Sequence, residues 1–218
     1  MVCAEKEIPL TKHNRIMKPT VLLSTTILAL SSFALKAQAP AAAESTAVVA
    51  SEKSASITKE EVNAAQQAWC DALVAIGKAN ENGEDAKALA EKVLSAAYDY
   101  DNGKVFFKPT LTHGDQTFRP TKEGALAYFV GGNDKFPNDK GFALKPWVKA
   151  RYDNLGDGDE GIQIHGNIAI TMGNVWVTAK DGTEVKVDKT FVFRKCDDGK
   201  LRLIVHKSAL PYSPEAAK

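Results

Sequence analysis

Apolar positions recur at helical spacing in the first half of this chain and at strand spacing in the second. Val62, Ala65, Trp69, Leu73 and Ile76 follow one another at steps of three and four, which puts them on one face of a helix. Thr58 with Glu61 three residues later forms a capping box and predicts where that helix begins. Gly77 and the Asn, Glu, Asn, Gly run at 80–83 predict where it ends. A second helix is expected over 85–97, with Leu89, Val93 and Leu94 inward. Val105, Phe106 and Phe107 read as a short strand after the turn at Asn102 and Gly103. Thr121 is the expected N-cap of a third, short helix over 122–130, closed by Gly131 and Gly132.

Beyond the loop at 133–146 the period changes to that of strands, expected at 147–152, 161–165, 168–178, 184–195 and 201–208. Turn residues separate the last four: His165 to Asn167, Lys180 to Gly182, and Asp197 to Gly199. Strands that follow one another through short turns form an antiparallel meander. Helices first and an antiparallel sheet after them define an α+β domain. We expect a curved antiparallel sheet wrapped around the N-terminal helices, leaving a cone with a closed apolar end.

Residues 17–39 carry a basic start, an apolar stretch and the A-x-A site Ala37, Gln38 and Ala39, the layout of a secretory signal peptide cut between Ala39 and Ala43. Ser24, Thr25, Thr26, Ser31 and Ser32 break the apolar stretch and make it a poor spanning helix. The expected organisation is a signal peptide at 1–43, a flexible spacer at 44–57, one domain at 58–212 and a tail at 213–218. The mature protein is then periplasmic or secreted, with no stable membrane association. The chain has 28 basic and 27 acidic residues, and the leader removes five of the first and two of the second, leaving a net charge near −2. That balance gives no electrostatic reason to bind nucleic acid. Cys70 falls in a helical pattern and Cys196 beside a hairpin turn. Pairing and two free thiols both stay open, while a zinc ribbon is excluded.

The last strand carries the first chemical signal. His206 and Ser208 are two residues apart and share a strand face. Ile204, one step earlier, is expected on that face too, as its apolar beginning. An oily floor with a polar mouth is how a sheet lines a pocket.

Five ordered blocks together resemble one family. They are Gln67 to Gly77 (QAWCDALVAIG), Phe107 to Thr110 (FKPT), Phe118 to Gly132 (FRPTKEGALAYFVGG), Ala169 to Asn174 (AITMGN) and Val205 to Pro211 (VHKSALP). The chain is similar to the iota class of carbonic anhydrases, specifically bacterial exported members, from about Thr58 to Pro211. The resemblance implies an NTF2-like (SnoaL-like, cystatin-like) cone related to the association domain of calmodulin-dependent kinase, and a homodimer. It implies reversible hydration of carbon dioxide to bicarbonate. Carried over residue by residue, it points to Thr110, Tyr128, His206 and Ser208 as pocket residues. The family's terminal motif is commonly a His run followed by two Ser; here Lys207 stands at a His place and Ala209 at the second Ser place.

Zinc would need three close ligands, and none of His113, His165, His206, Cys70 and Cys196 lies at a metal-ligand spacing. No cofactor is therefore expected, with zinc or manganese, used by some family members, as the alternative. A metal-free route would use hydroxyls: Tyr128, Thr110 and Ser208 would hold water and bicarbonate oxygens, and His206 would accept or relay the proton. The rival readings are a small-ligand binding protein of the same shape, or an isomerase-like enzyme. The latter needs a carboxylate base in the pocket, for which Asp71 and Asp99 are the candidates. Two cysteines after the leader and no Asp-x-Asp-x-Asp run argue against phosphoribosyl-AMP cyclohydrolase chemistry.

Overall fold

The computed structural model describes residues 56–214. The expected leader at 1–43, the spacer at 44–57 up to residue 55, and the last four residues of the tail lie outside the described residues.

The capping box forms as expected: the Thr58 hydroxyl accepts from the Glu61 N–H at 3.2 Å, and the Glu61 carboxylate accepts from the Thr58 N–H at 3.0 Å. It opens α1 (Lys59–Glu81). Lys195 binds the same carboxylate at 2.8 Å and ties this end of the helix to the sheet. Gly77 does not end α1, contrary to its reading as a breaker. A Cβ there would sit 2.7 Å from the Lys145 carbonyl oxygen and 3.0 Å from that of Ala143. The residue is glycine because the 143–145 segment crosses the helix at that point, a packing demand rather than a stop signal.

After α1 come α2 (Ala86–Ala97), β1 (Phe106–Lys108) and α3 (Lys122–Val130). Thr121 caps α3 by accepting from the Gly124 N–H, and Gly131 closes it with a positive φ of 64°. The strands β2 (Trp147–Asn154), β3 (Ile162–His165), β4 (Ile168–Ala179), β5 (Glu184–Lys195) and β6 (Leu201–Ala209) follow. The sheet runs β1-β6-β5-β4-β2, with β3 also paired to β4. Helices lie against a curved six-stranded sheet, the α+β cone that the periodicity implied. α1 packs against β2, β3 and β6, and Trp69, Leu73 and Ile76 meet Phe107, Phe129, Phe191, Phe193 and Leu203 in one core.

Two features differ from expectation. The sheet is mixed, not antiparallel: β1 runs parallel to β6, pairing Phe106 with Val205, Phe107 with His206 and Lys108 with Lys207. These strands come from opposite ends of the domain, so no hairpin imposes an antiparallel course. The second feature is a bulge. Val192 pairs with Val205 but Phe193 pairs with Leu203, which leaves Ile204 without a partner. The extra residue shifts the alternation. Leu203, fully buried, shares the inward face with His206 and Ser208, and Ile204 does not.

Candidate active site

Three neighbouring strand segments build the centre. β6 presents His206 and Ser208 inward, with 1% of each exposed. The pairing of β5 with β6 sets Phe191 opposite His206 and Lys189 opposite Ser208. On the other edge, β1 sets Phe107 beside His206. The imidazole stacks on Phe107 at 4.4 Å between centroids and meets Phe191 edge-on at 4.7 Å and Trp69 edge-on at 5.4 Å. An aromatic box therefore fixes its plane and excludes water.

Hydrogen bonds fix its protons. The Trp69 indole N–H can only donate, and it donates to the Tyr98 hydroxyl at 2.9 Å. The Tyr98 proton then goes to its remaining partner, His206 Nδ1, at 2.8 Å. The neutral ring therefore carries its own proton on Nε2. Nε2 faces the Ser208 oxygen at 2.9 Å and the Lys189 amine at 3.0 Å. Lys189 in turn donates to Ser208 Oγ at 2.6 Å. Three polar atoms on two strands thus make a closed triangle at the centre of the fold.

Burial, with the Lys189 charge second, holds the His206 pKa well below its usual 6.5. Its Nδ1 lone pair is occupied as well. In this setting the neutral imidazole is a hydrogen-bond donor through Nε2. Lys207, at the position where a His was expected, is exposed on the opposite face of β6 and leaves the inward pair intact. Ala209 shares that opposite alternation and is half-buried.

Thr110 and Tyr128 form a second, adjoining group. Thr110 follows β1 and is half-buried, while Tyr128, on α3, is 5% exposed. The Tyr128 hydroxyl faces the Thr110 side chain and the backbone of Thr110 and Leu111. Among the described residues none of these sits in hydrogen-bonding geometry, so this buried hydroxyl has no partner. Burial pushes its pKa up to about 12, with Thr110 the main opposing influence, so it is a neutral donor and acceptor at neutral pH. Phe107 links the two groups, touching Tyr128 edge-on at 5.8 Å and His206 face-on. His206 and Ser208 are in direct contact, and the Phe107 ring touches both His206 and Tyr128.

Two residues of the centre escaped the sequence reading. Lys189 had a signal: Val187, Lys189, Phe191 and Phe193 alternate inward along β5, a lysine in an apolar row. Tyr98, at the C-cap of α2, had none. His113 and His165 are exposed, and among the described residues no group of three His, Cys, Asp or Glu is gathered to hold a metal ion. Cys70 and Cys196 are unbonded. Asp71 is exposed, and Asp99 is buried but engaged by Arg194 and Asn102. Neither supplies the carboxylate base that an isomerase would need.

The family model described as metal-independent carbonic anhydrase matches residues 60–210. A metal-independent carbonic anhydrase of Nostoc sp. is 54% identical over 163 residues, 72% of this chain and 75% of that protein. The crystal structure of an iota-carbonic anhydrase from a cyanobacterium, complexed with bicarbonate, superposes with a TM-score of 0.69 at 53% identity, covering 72% of this chain and 94% of that one. An NTF2-like superfamily protein from Salmonella enterica is a more distant match, 12% identical with a TM-score of 0.40 over 71% of this chain and 92% of its own.

Proposed function

The chain belongs to the metal-independent carbonic anhydrase family, and from that premise we propose how its buried centre performs the family's reaction. It hydrates carbon dioxide reversibly to bicarbonate and a proton, without a metal. The observation that carries the site assignment is the coincidence of a dry His206–Ser208 pair with the unpartnered Tyr128 hydroxyl one aromatic ring away. A buried hydroxyl without a partner costs folding free energy, about 1–3 kcal/mol. A bound oxygen atom would remove that cost.

In this reading Tyr128 and Thr110 hold one side of the guest, and Ser208 with His206 Nε2–H holds the other. The charge that grows on oxygen as water adds to carbon dioxide meets preorganised donors in a water-poor space, where each counts for more than in bulk. Trp69 and Tyr98 position His206 by fixing its tautomer. Beside them lies a small apolar cavity of about 10 Å³, also lined by Leu73, Ile76, Leu94 and Phe129. That is room for about one water-sized group.

The homologue crystallised with bicarbonate supports bicarbonate as the bound species here. The working unit is a homodimer, supported by Ile170 and Met172 exposed side by side on the outer face of β4, 37% and 54% respectively. The basic, apolar and small-residue layout at 17–39 supports export and a periplasmic or secreted location. Among the described residues no helix is long and apolar enough to cross a membrane.

Stopped-flow hydration of carbon dioxide by purified protein tests the assignment. Ser208→Ala removes an acceptor shared by His206 and Lys189 and is expected to lower kcat by about 10²-fold, the usual effect of deleting one such group. Unchanged kcat in Ser208→Ala would refute the hydroxyl site. Sedimentation of the mature protein decides the dimer, and the N-terminal sequence of the exported form decides the cleavage.

A further inference from the structure

Lys189 is the one charge-bearing group at this centre whose partner is missing. It is 4% exposed in the middle of β5. Its amine contacts Ser208 Oγ, His206 Nε2 and, at 4.8 Å, the face of Trp69. Among the described residues it pairs with no carboxylate. The titratable groups around it are the His206 imidazole from β6, the Cys70 thiol from α1 and the Tyr152 hydroxyl from β2. All are uncharged at neutral pH: burial pushes Cys70 and Tyr152 up to about 12 and His206 well down. On β4 its neighbour is Gly173, which has no side chain. An ammonium here would be an isolated buried cation, which is costly.

We propose that Lys189 is a catalytic residue of the hydration, its neutral amine taking the proton from the water that attacks carbon dioxide. The inference rests on the carbonic anhydrase reading and assigns its missing base. One O–H bond of the water breaks and its electron pair stays on oxygen. That oxygen bonds to the carbon of carbon dioxide, one C=O π pair moves onto the outer oxygen, and the proton joins the lone pair of Lys189. The products are bicarbonate and an ammonium side by side. Each charge alone would be expensive in this space, and they form together, so each is the other's counter-charge. Loss of the proton to solvent buffer and departure of bicarbonate restore the start, and the dehydration direction runs the same steps backwards.

The triangle suits this exchange. The His206 Nε2–H lies within reach of both the amine and Ser208 Oγ, at similar distances, so Ser208 can hold that proton while the amine lone pair serves an arriving water. Burial brings the Lys189 pKa down from 10.5 to about 7, with the nearby Cys70 opposing. A proton acceptor serves best when its pKa lies near the working pH. His206 cannot fill that role, because its free nitrogen is already hydrogen-bonded by Tyr98.

The test combines a direct titration with kinetics. NMR titration of the lysine side chains of the intact protein is expected to find one midpoint near 7, lost in Lys189→Met. Hydration kcat/KM of the wild type is expected to rise with pH through that same midpoint. Lys189→Met should lose about 10²- to 10⁴-fold and the pH-dependent limb with it. Lys189→Arg, which keeps a cation but no basic lone pair, should be equally impaired. Methylamine should restore part of the rate to Lys189→Ala. A Lys189 midpoint near its ordinary 10.5, or a Lys189→Met enzyme with wild-type rate and profile, overturns the assignment. So does a carbon-13 carbamate signal on Lys189 under carbon dioxide, since the amine would then be capturing the gas itself. A folded wild type that hydrates no carbon dioxide sinks the enzyme reading instead.

Discussion

Arg119 and Lys189 are both buried basic side chains, 2% and 4% exposed, and the fold treats them in opposite ways. Arg119 meets Asp139, whose side chain is largely covered, with one terminal nitrogen 3.1 Å from each carboxylate oxygen. Its guanidinium lies over Phe136 at 4.6 Å, and its backbone N–H reaches the Phe107 carbonyl. It clasps the 114–121 loop to the 133–141 loop. Lys189 has neutral neighbours only, and its charge is therefore free to change. A buried charge with its counter-charge in place holds structure. A buried basic group without one is free to take up and release a proton.

The largest effect that separates the two is on stability. Asp139→Ala leaves Arg119 buried and unpaired, and is expected to destabilise the fold by about 3–5 kcal/mol. Lys189→Met removes a costly polar group from an apolar row and is expected to raise stability near pH 7 by about 1–3 kcal/mol, although it destroys activity. Urea denaturation of both variants measures this. A Lys189→Met protein that falls as far as Asp139→Ala would make Lys189 a structural residue and erase the contrast.

A second, smaller effect is the pH dependence of that difference. In the unfolded chain Lys189 binds its proton up to about 10.5, whereas in the folded protein it releases it at about 7. Between these values the unfolded state holds more protons, so stability rises with pH. The lysine's cost is fully present below about 7 and disappears as pH approaches 10.5. The stability gap between Lys189→Met and wild type should therefore shrink steadily from pH 7 to pH 10. Comparing two chains that share every other titrating group isolates the term. A gap that stays constant over this range would mean that Lys189 keeps its ordinary pKa when folded.

How much of this was legible in the sequence follows from what each signal depends on. Helix caps and the 3.6-residue face of α1 are local, and Thr58, Glu61 and Thr121 act as read. The inward pair His206 and Ser208 needs only strand alternation, and Lys189 was readable by the same rule in its row of Val187, Phe191 and Phe193. The bulge at Ile204 was not readable, because an extra residue is a property of the pairing and not of either strand. The parallel placement of β1 and the crossing at Gly77 depend on segments distant in the chain. Tyr98 looks like the end of a helix until Trp69 and His206 arrive from elsewhere.

The finest test sets two tyrosines against each other. Tyr98 and Tyr128 are both buried, 1% and 5% exposed, but only Tyr98 spends its hydroxyl on the protein. Tyr98→Phe strands the Trp69 N–H and the His206 Nδ1 lone pair and is expected to cost about 1–3 kcal/mol of stability. It also frees His206 to change tautomer, so kcat should fall even where the protein is fully folded. Tyr128→Phe removes a hydroxyl that bonds nothing among the described residues. It is expected to stabilise the fold by about 1–3 kcal/mol, the cost of that unpartnered hydroxyl, and to weaken bicarbonate binding and hydration together. The same hydroxyl would then be idle in the folding of the protein and engaged in its reaction. Equal stability losses in the two variants would show that Tyr128 already has a partner without substrate, and would take away the unpartnered hydroxyl on which the site assignment leans.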